Sequence, residues 1–132
     1  MFSLMSLANA VETTLADYYS GNFIKDSYKV GVTISGESYY WVPLQGRGER
    51  EYGDSFSLKD GKYSISVKFS RLTESGEKGL IENYNKHCES MFFPCDITVI
   101  GDIGLSSDIS GDMVLFLNAR KVVFDDLGLE FK

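Results

Sequence analysis

The only histidine of the chain, His87, directly precedes Cys88, and the second of its two cysteines is Cys95. Nucleophilic catalysis needs a base aimed at a nucleophile. Adjacent residues on a helix point about 100° apart, so His87 and Cys88 do not face each other there. A metal site built from His87, Cys88, Cys95 and Asp96 would depart from the short C-x-x-C spacings of structural zinc, with an aspartate as fourth ligand. No metal and no cofactor are expected. Two carboxylate pairs occur, Glu49/Glu51 and Asp125/Asp126. Neither lies in an apolar stretch that would shift a pKa for acid–base work, so both read as solvated charge. The chain is expected to be a non-catalytic binding or interaction domain, with a small hydrolase as one alternative. Two cysteines seven positions apart suggest a single disulfide, Cys88–Cys95; the other reading is two free buried thiols in a cytosolic protein.

Binding chemistry is better represented. Tyr39, Tyr40, Trp41, Phe56, Tyr63 and Phe69 interleave with Lys59, Lys62, Lys68 and Arg71. Between Leu44 and Arg71 the chain carries +2, against −8 elsewhere and −6 in total. The expected recognition surface is Tyr39, Tyr40 and Trp41, the Gln45–Tyr52 loop with Arg47 and Arg50, and the strand carrying Lys62, Lys68 and Arg71. Aromatic rings in a basic groove also hold single-stranded nucleic acid. A pI of about 4.7 weighs against that alternative, and strand alternation sends half of the rings inward. The Gly46-Arg47-Gly48 stretch lacks the spacing of a phosphate cradle and reads as a mobile loop.

These residues must be held by strands. Tyr28, Val30, Val32 and Ile34 alternate with Lys29, Gly31, Thr33 and Ser35, which predicts a strand that Gly36 allows to bend. Tyr39 to Val42 continues as an aromatic strand ended by Pro43. Ser55–Leu58 and Tyr63–Phe69 flank an Asp60-Gly61 hairpin signal. Thr73 to Gly79 is a polar entry to a helix whose stripe is Leu80, Ile81, Tyr84 and Cys88. A strand from Ile97 to Ile103, a loop from Leu105 to Asp112 and a long strand from Met113 to Phe124 follow, the last with a break at Asn118-Ala119-Arg120. Ahead of all this, Leu7, Val11, Leu15 and Tyr18 share one helical face, and Gly21 would stop that helix. The 132 residues fit one domain.

The predicted fold is mainly β, an OB-like five-stranded barrel with an N-terminal helix and a second helix between strands three and four. The run Tyr28 to Gly36, the run Pro94-Cys95-Asp96-Ile97-Thr98-Val99-Ile100-Gly101 and the closing Met113-Val114-Leu115-Phe116-Leu117 give the chain a pattern that resembles small bacterial OB-fold proteins of the exported, tRNA-anticodon-like group. That resemblance implies a binding module and transfers no catalytic residue. Residues 1–10 look like the end of a signal peptide, with Ala8-Asn9-Ala10 as an A-x-A cleavage site, leaving residues 11–132 as the domain. The other reading of that segment is the start of an amphipathic helix. Export would place the protein in the periplasm or outside the cell; without it the protein would be cytoplasmic. No apolar run reaches the length of a membrane span. Partner, ligand and oligomeric state are not encoded in any motif.

Overall fold

The computed structural model describes residues 11–16, 31–40, 43–45, 55–107, 110–111 and 113–132. Alternation of apolar and polar side chains builds most of it. In β2 (Val32–Ser38) Val32, Ile34 and Ser38 turn inward, and in β3 (Ser55–Asp60) Phe56 and Leu58 do so. In β4 (Tyr63–Lys68) Ile65 and Val67 are buried. β3 and β4 form the expected hairpin, pairing Asp60 with Tyr63 across Gly61-Lys62, with Gly61 at φ +60°. A glycine with positive φ at the first turn position suits a two-residue hairpin.

The helix α1 (Glu74–His87) begins earlier than the polar entry suggested. Thr73 caps it, its Oγ1 accepting from the Gly76 N–H at 3.1 Å. Acids occupy its first turn and Lys86 and His87 its last, as the helix dipole favours. β5 (Cys95–Ser107) and β6 (Met113–Phe124) then form a long antiparallel pair, and β7 (Leu129–Phe131) turns back onto β6.

Five strands close into a barrel. β2 pairs antiparallel with β3, β3 with β4, β4 parallel with β6, β6 antiparallel with β5, and β5 antiparallel with β2. Closure removes the free edges of an open sheet. The order, the parallel β4–β6 seam and the placement of α1 between the third and fourth barrel strands are consistent with an OB-like fold. The core runs through the barrel from Val99, Leu117 and Val122 to Phe56, Phe69 and Tyr84. Tyr84 brings α1 onto it, its ring centroid 5.2 Å from that of Phe56.

Four sequence readings are corrected. The expected N-terminal helix is replaced at Val11–Thr13 by a strand, β1, which pairs parallel with Val32–Ile34 of β2. Val11, Thr13 and Thr14 include β-branched side chains that favour extended backbone, and β2 offers an edge beside them. Leu15 is buried as the helical stripe required, whereas Leu7 and Tyr18, like residues 1–10, lie outside the described residues. Tyr39 and Tyr40 do not continue a strand, because β2 ends at Ser38. The loop expected from Leu105 starts later, since β5 runs to Ser107. The break at Asn118-Ala119-Arg120 is a β-bulge in a continuous strand: Ile100 pairs with Lys121 and Gly101 with Ala119, leaving Arg120 without a register partner.

Candidate functional site

The outward positions of β4, β5 and β6 meet on one side of the barrel. Lys68 pairs in register with Asn118, and Asn118 with Asp102. One step along, Phe116 lies opposite Gly104. A Cβ on Gly104 would come within 2.5 Å of the Phe116 ring, so glycine lets that ring lie across the neighbouring strand. Lys68 sits over the same ring, its Nζ 4.2 Å from the centroid. A desolvated cation in that position gains from the ring quadrupole.

The bulge re-aims the next cation. Arg120 Nε lies 3.4 Å from Asp102 Oδ2, and Arg71 Nη1 lies 3.2 Å from the same oxygen. Both guanidinium groups and the carboxylate are well exposed. Such exposed pairs add little stability, so their value here lies in arrangement. Gly31, at φ +76°, makes the arrangement possible: a Cβ there would lie 2.7 Å from Arg120 Nη2 and 2.8 Å from the Gly101 carbonyl oxygen. Three cations, Lys68, Arg71 and Arg120, thus surround one carboxylate and one aromatic ring. Asp102 holds both arginines and neutralises one of them. The remaining positive charge is displayed beside Phe116 on a chain of net charge −6. This geometry can bind an anion and stack a planar or apolar group beside it.

The expected recognition residues divide. Lys68 and Arg71 belong to this cluster. Tyr39 instead stands with Lys59, whose Nζ donates to its phenol oxygen at 3.2 Å and lies 4.6 Å from its ring centroid. Lys62 lies over Tyr63 at the hairpin, 5.3 Å from the ring centroid. Tyr40 faces α1: its hydroxyl donates to the Asn85 carbonyl at 2.9 Å and its ring lies 5.9 Å from that of Tyr84. Trp41, Arg47 and Arg50 lie outside the described residues. The sequence reading missed Asp102, Phe116, Asn118 and Arg120. Alternation about the buried Leu117 and Ala119 could have placed Phe116 and Asn118 on the outer face, and the Arg120-Lys121 interruption could have signalled the bulge.

Cys88 and Cys95 are bonded, with Cα atoms 5.2 Å apart. The thiolate chemistry that a nucleophile or a zinc ligand would need is therefore absent at both positions. Among the described residues no group of three or more His, Cys, Asp or Glu side chains is placed to hold a metal ion. No helix among the described residues is long and apolar enough to cross a membrane. Comparison with protein-family models finds no match, and comparison with curated proteins finds none either.

Proposed function

We propose that this chain is a non-catalytic binding module that works in an oxidising compartment outside the cytoplasm and captures an acidic protein partner on the outer face of β4, β5 and β6. The observation that carries this reading is the Lys68–Phe116 pair beside the Arg71–Asp102–Arg120 bridge. Local positive charge on an acidic protein steers an oppositely charged partner to one place. The disulfide supports the compartment, because such bonds persist where thiols are not kept reduced.

A second reading keeps one specific observation in its favour. A ring under a lysine, with two arginines nearby, also suits a base stacked above a phosphate. One experiment separates the two. Anisotropy is measured with a labelled Glu/Tyr-rich peptide and with a labelled oligothymidylate, over a salt series. Peptide binding that weakens about tenfold in the Lys68→Ala/Arg71→Ala/Arg120→Ala variant supports the first reading. Oligonucleotide binding that falls steeply with salt moves the assignment to the second. Binding of neither probe overturns both.

A further inference from the structure

A second surface lies at the far end of β5. The disulfide closes the segment Cys88-Glu89-Ser90-Met91-Phe92-Phe93-Pro94-Cys95 into a small loop. Inside it, the Phe93 N–H donates to the Ser90 carbonyl at 2.9 Å and the Phe92 N–H to Ser90 Oγ at 3.2 Å. This turn displays Met91, Phe92 and Phe93 at 55%, 80% and 69% exposure. Leu127 and Leu129, in and after the turn between β6 and β7, are exposed as well. Three consecutive bulky apolar side chains held in water by a covalent clasp form a patch that marks an interaction site. The clasp also lowers the ordering entropy that binding would otherwise have to overcome.

Behind the turn is a cleft of about 270 Å³. Phe93, Pro94 and Leu127 form its apolar walls and Phe124 also lines it, while Asp96 and Asp126 add carboxylates to the same lining. Burial, and then the neighbouring Asp126, Glu37 and Asp125 charges, hold the Asp96 carboxyl above the usual carboxylate range. Asp125 already takes the Thr98 hydroxyl, at 2.9 Å and 3.1 Å. The cleft thus offers apolar contact and carboxylate groups together, with His87 on the same lining.

We infer that the Cys88–Cys95 turn and the Asp96/Asp126 cleft dock a partner's peptide segment in which a lysine or arginine stands next to apolar side chains. Charge complementarity selects this occupant. The apolar groups meet Phe92, Phe93 and Leu127, while the cation sits against the two carboxylates and donates charge-assisted hydrogen bonds to them. An anionic bilayer, which exposed phenylalanines alone would suit, is repelled by the same carboxylates.

The test selects a random-peptide library on the immobilised, oxidised full chain and measures affinities of the enriched peptides as synthetic probes. Enriched sequences are expected to place Lys or Arg beside aliphatic or aromatic residues. Their affinity should fall about tenfold or more in Phe92→Ser/Phe93→Ser and in Asp96→Asn/Asp126→Asn. It should not change in Lys68→Ala/Arg71→Ala/Arg120→Ala. Phe92 and Phe93 are exposed, so the first variant should melt within a degree or two of the parent; the carboxylate variant supplies the readout independently of that loop. No enrichment, enrichment without cations, or affinities indifferent to both variants would overturn the proposal. So would Phe92-dependent binding to phosphatidylserine-containing vesicles, or a self-association lost in Phe92→Ser/Phe93→Ser, in place of peptide binding.

Discussion

Two residues show how burial and charge set the chemistry of single groups here. The Tyr84 hydroxyl donates to Ser38 Oγ at 2.7 Å, and Ser38 in turn donates to the Ser57 carbonyl at 2.6 Å. Both side chains are buried, and burial pushes the Tyr84 phenol from 10.0 up to about 12. A raised folded-state pKa means that the folded chain holds the proton more tightly than the unfolded one. The stability this gives is complete below pH 10 and is lost as pH rises toward about 12. Unfolding by urea at increasing pH should therefore show a loss of about 2–3 kcal/mol across that window. Tyr84→Phe should lower stability at neutral pH by about 1 kcal/mol, for the lost hydrogen bond, and should flatten the alkaline decline. An undiminished decline in that variant would place its origin elsewhere. Asp96 is shifted in the same direction at the surface, with neighbouring carboxylates adding to the rise. Its carboxyl is raised, so ionising it works against the fold as pH climbs through its folded-state value. Asp96→Asn should raise the melting temperature slightly at low ionic strength, and the gain should vanish in high salt.

Strands and turns were legible in the sequence where their signals are local. The Lys59-Asp60-Gly61-Lys62 turn, the alternation of Tyr63 to Val67 and the Leu80/Tyr84/Cys88 stripe each need only a few neighbouring residues to be read. β1 was not legible, because Leu7, Val11, Leu15 and Tyr18 satisfy a helical period and the partners of Val11–Thr13 are Val32–Ile34, far along the chain. The cationic face was half legible for the same reason. Lys68 and Arg71 stand in the basic stretch, but Phe116, Asn118 and Arg120 join them only when β4 and β6 pair in parallel. Arg120 needs the bulge as well, and the bulge makes an element-level prediction. A Cβ on Gly101 would lie 2.1 Å from the Asn118 carbonyl oxygen, inside the β5–β6 pair. Gly101→Ala should destabilise by about 1–3 kcal/mol or more, read from the denaturation midpoint, and should disturb Arg120 along with it. The disulfide acts on the neighbouring element boundary, holding the C-terminus of α1 to the start of β5. Its loop is short, so the chain-entropy model gives it about 2–3 kcal/mol. Cys88→Ser/Cys95→Ser should lower the melting temperature by several degrees, and an unchanged value would show that the clasp serves the displayed turn alone.

At the scale of the whole molecule, β5 carries both proposed surfaces. Asp96 stands at its start and Asp102 six residues on, which at the rise of a strand is roughly 20 Å. The strand between them is registered on one side to β2 and on the other to β6, and Val99 is fully buried. A closed barrel so paired holds the two surfaces at a fixed separation and lets neither move to meet the other. One surface is cationic with a half-buried ring; the other is apolar with a carboxylate rim. If both surfaces bind as proposed, their chemistries select different partners, and the module would bridge an acidic protein to a segment that combines a cation with apolar groups. Sites this far apart without shared contacts are energetically independent to within about 0.5 kcal/mol. Saturating the cationic face with a Glu/Tyr-rich peptide should therefore leave the affinity of the tip for its selected peptide unchanged, and a ternary complex should form at the sum of the three masses in native mass spectrometry. Mutual exclusion of the two peptides would instead mean that both occupy a single surface, and it would end the bridging role even if each binding event were real.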